Sequence, residues 1–194
     1  SRRPRGRPSA TEAAAIDDAV REAALARFLA HGYAGTTMAD VARDAGTTKA
    51  SLYARYPTKE AVFTSVLSWA VGRPDWPVPE PPAPGVDDLE AALLAVGRAA
   101  RRRATDPSMV ALSRIAVAEA DRVPELAARV RTSGTWSRRE KVVDLLRHHA
   151  RTGAIVADDP ELLAEHFLAM VAGTPARMAS FGIVPPPAEQ DRRT

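Results

Sequence analysis

Residues 36–60 read TTMADVARDAGTTKASLYARYPTKE. Capping residues and breakers cut this stretch into two very short helices. Thr37 opens the first, with Asp40 three positions on to complete a capping pair. Met38, Val41, Ala42 and Ala45 fall at i, i+3, i+4 and i+7, which makes one buried face. Gly46 breaks the helix. Thr48 caps the second, which runs to about Tyr56, where Pro57 ends it. Thr58 caps a further helix that begins with Lys59. Before all this, Thr11 to His31 reads as one long helix, with Ile16, Val20, Ala24 and Phe28 in a stripe, Leu25 and Leu29 beside it, and Gly32 as the stop. A long helix, a short helix, a glycine turn and another short helix restrict this part of the chain to a helix-turn-helix with a supporting helix.

A helical wheel places the residues of the second short helix. Leu52 and Tyr56 fall together, on the side pressed against the preceding helices. Ala50, Ser51 and Ala54 lie opposite, and Tyr53 and Arg55 stand on the two borders. Small residues on the outward face let a helix sit deep in a DNA major groove. On that reading Ala50 touches a thymine methyl group and Ser51 hydrogen-bonds a base edge. Tyr53 reaches a phosphate, Arg55 forks onto guanine or a phosphate, and Lys49 reaches either. Tyr56 is core first and contact second. Thr37, Thr48 and Lys59 sit beside helix starts, where anions are favoured. The bland alternative is a solvated helix face.

Charge points the same way. Residues 1–60 carry 10 Lys/Arg against 7 Asp/Glu, and the remainder carries 17 of each, so the whole net charge of +3 lies at the N-terminal end. Localised positive charge attracts polyanions by counterion release. Residues 1–9 hold four arginines and no acid and read as a flexible arm. Within it Arg5-Gly6-Arg7-Pro8 is shaped for an A·T-rich minor groove, or is a generic basic tail.

The second half is also helical, which makes the expected fold class all-α. Six prolines between Pro74 and Pro84 mark an extended segment. Leu89, Leu93, Val96 and Ala100 then form a stripe. Asp106-Pro107 and Asp159-Pro160 open helices, and Pro124 suits the first turn of another. Trp136, Val143, Leu146 and Ala150 line a longer helix that stops near Gly153. The last long helix carries Leu163, Phe167, Met170 and Val171, with Leu168 on its outward edge. The expected organisation is an arm (1–9), a helix-turn-helix domain (10–57), a helical effector and dimerisation domain (58–184) and a tail (185–194).

The stretch TTMADVARDAGTTKASLYARYPTKEAV closely resembles the helix-turn-helix signature of TetR-family transcriptional regulators. The matching residues are Thr36-Thr37, Val41-Ala42, Ala45-Gly46, Thr48, Lys49, Ala50, Ser51-Leu52-Tyr53, Tyr56 and Lys59-Glu60. The resemblance covers roughly residues 14–62. Ala54 and Arg55 depart from the His or aromatic often found there. IAVAEADRVPELAARV and GAIVADDPELLAEHFLAMVAG are similar, more weakly, to the C-terminal half of efflux-type members. The resemblance implies a homodimer that binds palindromic double-stranded operator DNA and is released by a small-molecule effector. It also implies a dimer bundle from the last two long helices and an apolar ligand pocket between the middle ones. Trp69, Trp76, Met109, Leu112, Ile115, Phe167 and Met170 are the candidates to line such a pocket, for an apolar or cationic molecule. Each serves equally as ordinary core.

Other chemistry is weakly represented. No phosphate-binding glycine loop, nucleophile elbow or H-E-x-x-H occurs, and there is no cysteine. His166, near Glu161 and Glu165, reads as a surface or interface histidine, so no metal or cofactor is expected. A helical enzyme and a protein-interaction module are the competing readings. The first lacks a titratable cluster, and the second has no reason to place its charge beside a helix-turn-helix. No apolar run approaches the ~20 residues of a membrane span, so a cytoplasmic protein without membrane contact is expected.

Overall fold

The computed structural model describes residues 10–73, 85, 87–121 and 135–183. Every element among them is helical. They are α1 (Ala10–His31), α2 (Met38–Asp44), α3 (Lys49–Arg55), α4 (Lys59–Gly72), α5 (Leu89–Thr105), α6 (Pro107–Ala118), α7 (Thr135–Arg151), α8 (Pro160–Leu168) and α9 (Thr174–Ser180). The helix expected after Pro124 and the basic arm lie outside the described residues. The chain divides between Trp69 and Ala70 into two compact units. The first thus takes in most of α4, beyond the expected boundary at residue 57, because α4 supplies much of its core.

That core is aromatic at its centre. The rings of Phe28, Tyr33 and Phe63 stand 5.0–5.8 Å apart, two pairs edge-on and one stacked. Val20 and Ala24 from α1, Leu52 from α3, and Val62 and Val66 from α4 close around them with almost no exposed surface. Lys59 completes the corner. Its Nζ donates to the carbonyls of Tyr33 (2.8 Å) and Thr36 (3.1 Å) and lies 4.2 Å from the centre of the Tyr33 ring. The loop between α1 and α2 is thereby fixed to the first turn of α4.

In the second unit α7 packs on α8, and α5 packs on α7. Val142, Val143, Leu146 and Ala164 are buried together, with Leu93, Val96, Ile155 and Phe167 packed against them. Gly97 sets how near α5 comes to α8. A Cβ there would stand 3.3 Å from Phe167 Cζ and 3.7 Å from Val171 Cγ1. The single long helix expected after Asp159-Pro160 is interrupted. Residues Ala169–Gly173 form one π turn, and an α-helix resumes at Thr174. Pro175 accounts for this. It lacks an N–H, and its ring would collide with the carbonyl of Val171 in an unbroken α ladder. A turn widened by one residue relieves that collision.

Removing the central ring tests how the first unit is held. Phe63→Ala should cost about 3–5 kcal/mol in urea unfolding, since Phe28 and Tyr33 then face a void. A loss below about 1 kcal/mol would mean that the ring cluster is not what holds α4 to α1.

Candidate nucleic-acid interface

The two short helices begin and end as their caps dictate. The Thr37 hydroxyl accepts from the Asp40 amide (3.2 Å) and donates to Asp40 Oδ2 (2.7 Å). That hydrogen bond, and then the neighbouring Arg43 guanidinium, holds the Asp40 carboxyl below the usual carboxylate range. At the other end of α2, Gly46 takes a positive φ of 65°. The turn is closed by Thr47 N–H to Ala42 O (2.9 Å) and Gly46 N–H to Arg43 O (3.1 Å), the paired bonds of a Schellman motif. Thr48 then caps α3 by accepting from the Ser51 amide at 3.1 Å.

α1 grips both helices with arginine–aspartate pairs. Arg27 Nε donates to Asp44 Oδ2 at the end of α2 (2.5 Å). The same contact lowers the Asp44 carboxyl and raises Arg27. From α3, Arg55 Nη1 reaches back to Asp17 Oδ1 (2.8 Å) and to the Ala13 carbonyl (3.2 Å). Behind them Arg21 Nε donates to Ser65 Oγ (3.0 Å), and the Ser65 hydroxyl donates to the Tyr56 oxygen (3.4 Å). A chain of polar contacts thus joins α1, α4 and the end of α3.

These contacts place three of the expected residues, and Tyr56 is core as expected first. Arg55 is turned onto α1 and positions α3, instead of standing at the border of the outward face. Lys59 is spent on two carbonyls and does not extend from the surface. Tyr56 is buried as core. The exposed arc of α3 is consequently rotated toward Tyr53. Lys49, Ala50, Tyr53 and Ala54 are exposed, with 48% of Tyr53 open to solvent, whereas Ser51 and Arg55 are half-buried. Thr37 and Thr48 lie exposed beside this arc. The Arg55–Asp17 pair spans 38 positions of sequence, and nothing local signals it. Arg5 and Arg7 lie outside the described residues.

The expected pocket residues scatter. A cavity of about 170 Å³ in the second unit has Met109 in its wall, with Val71, Leu168, three alanines and the arginines 103 and 138. Leu112 is buried core, Ile115 is half-buried, and Phe167 packs in the α7–α8 cluster. Met170 is 73% exposed. Trp69 falls in the first unit, and Trp76 lies outside the described residues. Leu168, expected to face outward, faces the cavity. His166 has no metal-binding cluster around it among the described residues. Glu165 pairs with Arg139 (3.0 Å), and Glu161 pairs with Arg147.

If Arg55 positions α3 through Asp17, the two residues are coupled. Arg55→Ala, Asp17→Ala and the double variant should show a coupling of roughly 0.5–1 kcal/mol in a denaturation cycle, the range for a partly screened pair. Additive losses would return Arg55 to the candidates for direct base contact.

No curated protein matches the chain. Among solved structures, a protein from Mesorhizobium loti described as a TetR-family transcriptional regulator superposes with a TM-score of 0.74 at 25% identity, over 92% of this chain and 91% of that one. The flavonoid-responsive regulator FrrA superposes with a TM-score of 0.73 at 28% identity, over 92% and 90%. A TetR regulator from Agrobacterium tumefaciens shares the fold at 20% identity, with a TM-score of 0.71 over 89% and 86%. Residues 20–66 match the bacterial regulatory proteins of the tetR family. Residues 91–194, more than half of the chain, match the AefR-like transcriptional repressor C-terminal domain. A helix-turn-helix held by a long first helix, joined to a helical unit of that kind, makes this chain a member of the TetR family of transcriptional regulators, which are not enzymes.

Proposed function

We propose that the protein is a repressor that binds a palindromic operator as a homodimer and leaves it when a small molecule occupies the second unit. The observation that carries this is the exposed arc of α3. Lys49, Ala50, Tyr53 and Ala54 give a slim helix surface with one cation and one phenol at its edge. Ala50 and Ala54 allow close approach to base edges, and Tyr53 donates its hydroxyl to a phosphate. Lys49 contacts a phosphate or base, and Ser51 reaches an edge from the rim. Thr37 and Thr48 flank the contact. Arg5 and Arg7 of the arm enter a neighbouring narrow minor groove. Such work belongs in the cytoplasm, beside the chromosome.

A second copy is called for by α8. Leu162 and Leu163 in α8, and Met170 in the π turn after it, are large apolar side chains that the subunit leaves exposed. The outward positions of α7, Lys141, Asp144 and Arg147, are polar. An isologous contact through this surface would bury it twice and set two recognition helices on successive major-groove faces. A small-molecule effector fits the likeness to a regulator described as flavonoid-responsive. The effector acts only through its difference in affinity for the DNA-fitting and other conformations.

The direct test is to sequence genomic fragments retained by the purified protein and titrate binding against salt. A shared palindrome is expected. Lys49→Ala should weaken all sequences alike and flatten the log–log salt slope by about one unit, and deletion of residues 1–8 should cost most on A·T-rich flanks. Fragments with no common half-site would defeat the operator reading.

Leu163→Glu tests the dimer. Solution mass should fall to that of a monomer and operator binding should be lost, with far-UV dichroism unchanged. A variant that remains dimeric and binds normally would move the seam away from α8.

A further inference from the structure

The way α3 is held decides which features of a base pair it can read. Resting on the operator reading above, we propose that the operator sequence is read chiefly through the C5 methyl groups of thymines. Ala50 and Ala54 are then the specificity-determining residues.

The exposed arc of α3 lacks the side chains that read bases by paired hydrogen bonds. In the major groove those are arginine on guanine, and asparagine or glutamine on adenine. Residues 10–60 hold no asparagine or glutamine at all. Arg55 is the one arginine of α3, and its Nη1 donates to two groups of α1, Asp17 Oδ1 at 2.8 Å and the Ala13 carbonyl at 3.2 Å. Arg43 of α2 is exposed, but its guanidinium stands between Asp40 (2.7 Å) and Asp44 (3.3 Å). A guanine would have to displace those carboxylates.

What α3 offers outward is Lys49, Ala50, Tyr53 and Ala54. Lys49 acts as a point charge, on a phosphate or on one guanine. Tyr53 donates to a phosphate, which carries no sequence information. The half-buried Ser51 hydroxyl donates or accepts alike, so it separates bases poorly. The two alanines differ from all of these. They lie about 40° apart around α3 and about 6 Å apart along it, so their Cβ atoms form one apolar strip. Thymine is the base that presents a methyl group in the major groove. An alanine Cβ against that methyl takes both out of water, whereas guanine or cytosine sets a polar edge against the Cβ with nothing to bond it. Two base-pair steps span about 7 Å, so both alanines fit within one half-site.

The test uses the palindrome recovered by the genomic selection, resynthesised with deoxyuridine in place of one thymidine in each half-site. Uracil keeps the hydrogen-bonding edges of thymine and lacks only its methyl group. Affinity of the full chain for each duplex is measured by fluorescence anisotropy at one salt concentration. At two positions of the half-site the replacement should weaken binding by about tenfold, the loss of one methyl contact in each subunit, and in the flanks by less than about twofold. Ala50→Gly should remove the penalty at one of the two positions and leave it at the other, and Ala54→Gly should do the reverse. Far-UV dichroism confirms that each variant is folded, and the uracil series on the unaltered protein stands without them. Indifference to uracil at every thymine of the half-site would overturn the proposal. So would a half-site without thymine, or penalties that persist in both glycine variants. A protein that selects a palindrome but is indifferent to uracil defeats the methyl reading alone. One that retains no common half-site defeats the operator reading, and this inference with it.

Discussion

The first unit depends on the grip of α1 on two helices that could not stand alone. α2 and α3 are seven residues each, too short to offset the cost of helix nucleation in water. Their angle is set from outside. Arg27 holds the end of α2 through Asp44, and Asp17 holds α3 through Arg55. The aromatic cluster underneath fixes α4 against the same α1. The reading surface is therefore what remains after α1 has taken its share of α3, and the arc offered to solvent is narrower and turned further toward Tyr53 than a free helix would give.

That grip changes the electrostatics of DNA attraction. The excess charge of the first 60 residues is spread, in sequence, over arginines that resemble a binding surface. Among the described residues of that stretch, five of the six cations are committed. Arg21, Arg27, Arg43 and Arg55 each face an aspartate, and Lys59 is bound to carbonyls. Lys49 is what α3 itself adds to the field. The four arginines of residues 1–9 carry the rest, so on the proposed reading long-range steering belongs mainly to the arm and short-range fit to α3. The two contributions differ in salt dependence, because steering is screened over a Debye length of about 8–10 Å and close contact much less.

Local chemistry was legible and long-range pairing was not. Thr37, Gly46, Thr48 and Thr58 each act within a few residues of themselves, so the starts and stops of the short helices followed from sequence. Val41, Ala42 and Leu52 were correctly inward because one period decides them. The contact of Arg55 with Asp17 was not visible because that partner lies on another helix, and a wheel has no knowledge of neighbours. The same holds for the two carbonyls that Lys59 meets. In the second unit Leu146 and Phe167 are core as their spacing allows. Leu168 follows Ala164 by one turn and shares its inward side, which the chosen stripe missed, and Met170 lies inside the π turn before Pro175, which shifts the phase from there on. The proline was visible; its effect on the register was not. The pocket was least legible, since a cavity is a failure of packing between helices and no residue encodes it singly.

The phase shift has a mechanical consequence. Leu168 faces the cavity, while Leu163 and Met170, one turn before it and just after it, face solvent. One short length of helix thus carries the cavity wall on one side and the proposed dimer surface on the other. A ligand that changes the position of Leu168 or the width of the π turn also changes the surface presented to the second copy. The converse follows by linkage. On the proposed reading, a dimer locked by operator in one arrangement holds the ligand less tightly, by the same factor that the ligand weakens operator binding. The π turn suits that role physically. The α ladder is already broken there ahead of Pro175, so bending this segment costs less than bending an unbroken helix. The interruption at Pro175 is then, on the proposed reading, the place where the cavity and the dimer surface meet.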